Sequence, residues 1–282
     1  MSHPLALPRA GAAALLLASV LLSACGGGKV DHSPSSLGAP RQLVPSDHRA
    51  EGIPRQFGDL RPSSWDVLAP DRYSVHGIDA SRYQGEIDFH RARASGVSFA
   101  WLKATEGGDH SDPAYALNST KARAAGVPVG AYHFYYFCRT AREQAEWFID
   151  NVPRRAGDLP PVLDMEWNHQ SRTCPYKPDA GTVRSEIRTF LRIVGNYYGT
   201  VPVIYTTPDF YESNGLGAIQ GAEFWLRSVA GHPSERYPGE SWSFWQYTGT
   251  GVVHGVGGQV DLNAFAGSEQ SWQRWLAARR QR

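Results

Sequence analysis

Little net charge is carried by this chain of 282 residues: 28 Lys and Arg stand against 27 Asp and Glu, a formal balance of +1. No basic run precedes the terminal Arg279-Arg280-Gln281-Arg282, so an electrostatic nucleic-acid footprint is excluded and no nucleic-acid partner is expected. Long hydrophobic runs are also missing. The apolar stretch near the start, Ala10 to Leu22, is too short to span a bilayer comfortably. Cysteine is scarce, with Cys25, Cys138 and Cys174 only, and no His-x-x-x-His or comparable ligand spacing accompanies the acidic residues. Neither a metal nor a cofactor is expected on that count. What the chain does have is 41% hydrophobic and 12% aromatic residues, enough to fill the core of one domain with appendages.

The start of the chain has the order of a targeting segment: Arg9, then the apolar stretch, then Leu22-Ser23-Ala24-Cys25. That tetrapeptide resembles the lipobox of bacterial lipoproteins. The resemblance implies cleavage before Cys25, acylation of that cysteine, and a mature protein anchored to a membrane without spanning it. Gly26 in place of Asp points to the outer membrane, with the protein facing the periplasm. Residues 1–24 are then a signal peptide. Residues 25–72, with Pro34, Pro40, Pro45, Pro54, Pro62 and Pro70 and no sustained periodicity, form the expected linker. With Cys25 given to lipid, Cys138 and Cys174 are an even pair in an oxidising compartment and are expected to form a disulfide, two buried thiols being the alternative.

From Tyr73 the apolar runs recur as eight candidate strands: Ser74 to Asp79, Phe99 to Ala104, Val127 to Phe137, Val162 to Trp167, Val201 to Thr206, Phe224 to Val229, Ser243 to Tyr247 and Val256 to Leu262. Helical stretches follow the first five. Asp112-Pro113 marks an N-cap and first-turn proline, Thr140-Ala141-Arg142-Glu143 a capping box, and Thr182 to Tyr198 a helical period. After the sixth strand only a Gly/Pro-rich loop is expected, and Gly249-Thr250-Gly251 marks a hairpin turn between the last two. The fold class is therefore α/β, an irregular TIM-like barrel of β5α5β3 order over residues 73–267, closed by a C-terminal helix within 268–282.

Chemistry gathers at the strand ends. In Leu159-Pro160-Pro161-Val162-Leu163-Asp164-Met165-Glu166-Trp167 the proline pair opens a strand on which Asp164 and Glu166 share a face, with Cα atoms about 6.5 Å apart. Two acids so placed push one pKa upward, which makes a general acid at neutral pH. A glycosidase that retains configuration wants its carboxyls at roughly 5–5.5 Å and one that inverts at about 6.5–9.5 Å, so this spacing leaves the stereochemistry open. Asp79 and Asp261 end the first strand and belong to the last, neighbours on a closed ring. Lys103, Glu106, Tyr132, His133, Tyr135, Trp167, Tyr205, Trp245 and Gln246 are candidates for binding substrate. Against this stand plainer readings: turn caps for Asp79 and Asp261, a core histidine for His133, an ion pair for Lys103 and Glu106, and core packing for the aromatics.

Seven segments in order, Gly77-Ile78-Asp79-Ala80-Ser81, Gln84-Gly85-Glu86-Ile87-Asp88-Phe89, Phe99-Ala100-Trp101-Leu102-Lys103-Ala104-Thr105-Glu106-Gly107, Gly130-Ala131-Tyr132-His133-Phe134, Leu163-Asp164-Met165-Glu166, Trp245-Gln246-Tyr247-Thr248 and Val260-Asp261-Leu262-Asn263, resemble the signatures of glycoside hydrolase family 25, the Chalaropsis-type lysozymes. The resemblance implies a β5α5β3 barrel that hydrolyses the β-1,4 bond between N-acetylmuramic acid and N-acetylglucosamine, with peptidoglycan glycan strands as partner. It makes Glu166 the general acid and Asp164 the group that orients the substrate's 2-acetamido group or attacks directly. Asp79 and Asp261 then tune that pair and bind sugar. Arg82-Tyr83 departs from the polar pair usual after the first motif, which bears on sugar preference. A non-catalytic peptidoglycan-binding lipoprotein is the alternative expectation.

Overall fold

A computed structural model describes residues 52–65, 68–168 and 171–281. The expected signal peptide and the lipidation site Cys25 lie outside the described residues. Among those described, no helix is long and apolar enough to cross a membrane.

The strands are β1 (Phe57–Asp59), β2 (His76–Ala80), β3 (Phe99–Glu106), β4 (His110–Ser111), β5 (Val129–Phe134), β6 (Val162–Met165), β7 (Val203–Thr206), β8 (Glu223–Arg227), β9 (Phe244–Val253) and β10 (Val260–Phe265). Eight of them close a ring in the order β2-β3-β5-β6-β7-β8-β9-β10 and back to β2. Every pairing from β2 round to β9 is parallel, and β10 alone runs the other way, antiparallel to both β9 and β2. The barrel is therefore mixed, as the β5α5β3 expectation requires. Helices α1 (Phe89–Ala94), α2 (Tyr115–Ala124), α3 (Ala141–Asn151), α4 (Ala180–Tyr198), α5 (Pro208–Asn214), α6 (Pro233–Arg236) and α7 (Glu269–Arg279) complete the fold.

Two hydrophobic layers follow from the period of two along each strand. Ile78, Leu102, Leu163, Ile204 and Phe224 face outward and bury Ala92, Phe148, Ile187 and Phe190 of the helices. Phe99, Trp101, Val162, Val203, Trp225, Phe244 and Phe265 face inward and fill the barrel from the end where the parallel strands begin. Trp272, Trp275 and Leu276 of α7 pack against that end and shut it. Fully burying a side chain such as Phe99, Phe244 or Phe265 contributes about 1.5–3 kcal/mol of hydrophobic stabilisation. The opposite end, where the parallel strands finish, stays open.

Four local expectations need correction. The segment 25–72 is not wholly linker: β1 adds an edge strand to the far half of β9, with Phe57 opposite Val253, and Trp65 lies edge-on to Trp245 at 5.1 Å between ring centroids. The turn between the last two strands is at 254–259, because there Gly255 and Gly258 take φ of 96° and 71°, while Gly249-Thr250-Gly251 lies within β9. Gly251 serves close approach instead, since a Cβ there would stand 2.3 Å from Leu262 Cγ. Asp112 is not the N-cap of α2, which begins at Tyr115; its carboxylate accepts the N–H groups of Ala114 and Arg82 and ties two loops together. The loop after β8 contains α6, whose first turn is capped by the His232 side chain accepting from Ser234 N–H.

Candidate active site

The open end is a cleft of about 300 Å³ whose walls carry Asp79 from β2, Asp164 and Glu166 at and just beyond the end of β6, and Asp261 from β10. These residues, up to 182 positions apart in the chain, meet because the ring places β10 beside β2, with Asp261 opposite Asp79 in register.

Asp79 is buried and held by two amides. Its Oδ2 accepts from Gln246 Nε2 at 3.0 Å and from Asn263 Nδ2 at 2.8 Å. Each amide is itself oriented from behind: Tyr205 Oη donates to Gln246 Oε1 at 2.9 Å, and Trp225 Nε1 donates to Asn263 Oδ1 at 2.8 Å. Burial raises the Asp79 pKa to about 6, the two amide donors opposing the rise. Asp261 is raised further, to about 8, by its burial and then by the charge of Asp79. Burial, followed by the charge of Glu166, pushes Asp164 well above the usual carboxylate range. Glu166 is also raised by burial, with the Arg227 guanidinium pulling it back. Ionising all of these carboxyls together would crowd like charges into one poorly solvated space, so the cluster retains protons near neutrality.

Asp164 has a further property. It is only 7% exposed, and its Oδ1 accepts no hydrogen bond among the described residues. A buried carboxylate oxygen without a donor costs about 1–3 kcal/mol or more, and such an atom at a site wall is a position for a ligand's N–H.

Of the other expected residues, Lys103, Tyr132, Tyr205 and Gln246 line the cleft. Lys103 forms an ion pair with Glu106 and lies 4.7 Å from the Phe134 ring centroid. Glu106 itself faces a neighbouring groove, so the ion-pair reading holds for this couple. Three candidates lie elsewhere. His133 is fully buried outside the barrel wall, bonded to Thr105 Oγ1 at 2.7 Å and Gln144 Oε1 at 3.1 Å and stacked on Phe190; burial lowers its pKa to about 4, which makes it a neutral core histidine. Tyr135 donates its hydroxyl to Glu186, under the helices. Trp245 is buried on the outer face, its Nε1 donating to the Ser228 carbonyl. Trp167 lines a second pocket that shares Glu166 with the main cleft. Cys138 and Cys174 form the expected disulfide, with Cα atoms 5.7 Å apart.

The cleft also contains Tyr83, of the pair expected to bear on sugar preference, and four residues not anticipated there: Ser81, Phe134, Trp225 and Arg227. Arg227 was legible as a charge at the end of the apolar run from Phe224, two positions after Trp225 and so on the same face.

Residues 78–256 match the family described as Glycosyl hydrolases family 25. Over 229 residues the chain is 35% identical to YegX of Escherichia coli O157:H7, a protein described as uncharacterized, covering 78% of this chain and 80% of that one. It is 35% identical over 224 residues to Lysozyme M1 of Streptomyces globisporus, covering 73% of each. The solved structure of a bacterial lysozyme from Streptomyces coelicolor superposes with a TM-score of 0.64 at 35% identity, over 76% of this chain and 98% of that one.

Proposed function

Since this chain belongs to glycosyl hydrolases family 25, we propose that it is a muramidase, hydrolysing the β-1,4 bond between N-acetylmuramic acid and N-acetylglucosamine of peptidoglycan in cell-wall remodelling or turnover. The observation that carries this reading is the donor-less Oδ1 of Asp164 beside the raised carboxyl of Glu166 in one sugar-sized cleft.

Glu166 extends beyond the strand end and its carboxyl is raised by burial, which suits it to protonate the glycosidic oxygen as the bond to the anomeric carbon breaks. The N–H of the muramic acid acetamide meets Asp164 Oδ1, which turns the acetamide oxygen toward that carbon. The oxygen attacks, and an oxazolinium replaces a protein-bound intermediate, the substrate-assisted variant of the two-carboxylate scheme. With the proton of this coupled pair on Glu166, Asp164 is the carboxylate that stabilises the positive charge growing on the acetamide nitrogen. Water then adds at the anomeric carbon, gives its proton to the Glu166 carboxylate and reopens the ring. Configuration is retained. Asp79, with a pKa of about 6, is the acid of this couple that carries negative charge at neutral pH, and the amide clamp fixes its carboxylate, while Asp261, at about 8, stays mostly protonated and can donate to the sugar.

Replacing Glu166 by Gln preserves shape and removes the transferable proton. Release of new reducing ends from purified sacculi should drop by roughly 10²–10⁴-fold. An undiminished rate would end the proposal. Binding to sacculi by the unaltered protein with no new reducing ends would establish the peptidoglycan-binding alternative instead. The membrane anchor is part of the proposal: Cys25 becomes the acylated first residue of a periplasm-facing outer-membrane protein, which intact mass of the mature chain tests directly.

A further inference from the structure

The chain ahead of the barrel reaches the site from behind. Ser63 Oγ donates to the Val229 carbonyl, and the half-buried Trp65 stands edge-on to Trp245 at 5.1 Å between ring centroids. Trp245 passes the contact on, its Nε1 donating to the Ser228 carbonyl at 2.7 Å, while Ser228 N–H donates to the Gln246 carbonyl at 3.0 Å. These contacts converge on Ser228 and Val229, which follow Arg227, and on Trp245, which precedes Gln246. Arg227 and Gln246 are themselves opposite each other in register, and strand parity turns both into the cleft. Gln246 clamps Asp79 there. Arg227, its carbonyl accepting from Tyr237 Oη at 2.7 Å, brings its guanidinium among the acids: it opposes the effect of burial on Asp79, Glu166 and Asp261, and it lies near Tyr205 and Tyr237. The remaining charges at this mouth are Asp164, Asp209 of α5, which acts against Arg227 at Glu166, and Lys103 of β3 in its ion pair with Glu106.

We propose that Trp65 is a positioning residue of the site, acting with Ser63 to fix the end of β8 and so to set where the Arg227 guanidinium stands against Asp79, Glu166 and Asp261. Residues 52–65 are then a working part of the catalytic barrel, although they carry no chemistry themselves. Without the Trp65 ring the end of β8 loses its outer support, and the guanidinium stands farther from the acids. Each carboxyl then rises, because a nearby cation favours the ionised form. Turnover needs Asp79 ionised and Glu166 protonated, so the loss moves both limits of the active pH range in one direction, upward. Plain loss of packing lowers Tm and leaves those limits where they were.

The kinetic half of the test rests on the muramidase reading; a carboxyl titration followed by carbon-13 NMR does not. On soluble glycan oligomers, below its Tm, Trp65→Ala should lose about 10-fold in kcat at unchanged KM. Both limbs of its pH profile, and the titrations of Asp79 and Glu166 in the NMR spectrum, should move up by roughly 0.5–1 pH unit. Trp65→Phe, which keeps an aromatic edge against Trp245, should restore most of the kcat and the parent's pH limits. In an Arg227→Ala background the same Trp65→Ala change should cost less than about twofold, since the group it positions is gone. A Trp65→Ala protein with a lower Tm but the parent's turnover per folded molecule, pH limits and carboxyl titrations would overturn the proposal, and so would an undiminished loss in the Arg227→Ala background. A parent that releases no reducing ends would remove the muramidase reading alone, and the carboxyl titrations would still decide whether Trp65 sets the acids.

Discussion

Glu223 and Asp164 lie on the inner wall of the same barrel, one at the closed end and one at the open end, and both are almost fully buried, at 1% and 7% exposure. Glu223 is surrounded by donors. Ser243 Oγ and Trp275 Nε1 each reach its Oε1 at 2.6 Å, and its Oε2, which like Asp164 Oδ1 accepts no hydrogen bond among the described residues, is answered by an ion pair with Arg279 of α7. Asp164 has Glu166, Asp79 and Asp261 for neighbours, opposed by the charge of Lys103, and its Oδ1 has neither a donor nor an ion pair among the described residues. Identical chemistry thus serves opposite ends: one carboxylate fastens the terminal helix across the barrel floor, while the other is left in a state that a substrate can relieve. Burial of a charge is informative about function only together with the count of groups that answer it.

The comparison breaks most severely at the floor. Glu223→Ala leaves the Arg279 guanidinium, a quarter exposed, without its counter-charge and two donors without their acceptor. Partial access of Arg279 to water trims the cost, so about 3 kcal/mol of stability should be lost, or roughly 6–12 °C in Tm for a domain of this size. Turnover per folded molecule, read from reducing-end release below the new Tm, should stay within about twofold. Glu166→Gln should do the reverse, cutting turnover by roughly 10²–10⁴-fold without lowering Tm. A Glu223 variant that kept its Tm would show that the floor carboxylate is not a fastening.

At the mouth the sign of the stability effect inverts. The folded pKa of Asp261, about 8, lies above its ordinary value of 3.8, so the native state binds more protons than the unfolded one between those limits. Its contribution is fully present below about pH 4 and is lost as pH rises through about 8; Asp79, at about 6, adds to the same slope. Asp261→Asn deletes one of these titrations. The variant's Tm relative to the parent should therefore climb by a few °C between about pH 5 and about pH 8.5, with lower activity throughout. A constant Tm difference across that range would mean that Asp261 ionises in the fold as it does in the unfolded chain.

The same parity of side chains decides what could be read in advance. Strand positions followed from apolar runs and the Pro160-Pro161 opening, and Asp79, Asp164 and Glu166 followed from strand ends, because parallel strands deliver those ends to one mouth; Asp261 reaches the same mouth for another reason, since β10 is antiparallel and begins there instead of ending there. His133 and Trp245 were misplaced for a reason visible in the sequence. Tyr132 and Phe134 face the cleft, so His133 between them faces the helices; Gln246 faces the cleft, so Trp245 before it does not. Arg227 obeys the same rule with Trp225. By contrast, β1 has three residues and no alternation, and its pairing depends on β9 running on to Val253, which no local pattern announces. The pocket beside Glu166 was equally hidden, since it needs the β6–α4 segment to be folded back by the disulfide.

The smallest effect belongs to the rim, where neither fastening nor strain operates. Tyr83 is 77% exposed yet lines the cleft, and Arg82 braces it, with the guanidinium carbon 5.1 Å from the ring centroid and Nη2 donating to the hydroxyl at 3.3 Å. Nη1 of the same guanidinium lies 3.0 Å from His110 Nε2. A ring held in the open has no packing role to lose, so Tyr83→Ala should leave Tm within about 1 °C. Its aromatic face suits the C–H face of a pyranose, an interaction of about 0.5–1.5 kcal/mol, so KM for soluble glycan oligomers should rise by roughly 2–10-fold with kcat little changed. A fall in kcat at constant KM would instead move Tyr83 into the transition-state machinery alongside Glu166. Arg82→Ala should give a weaker form of the same KM effect, since it removes the brace and keeps the ring.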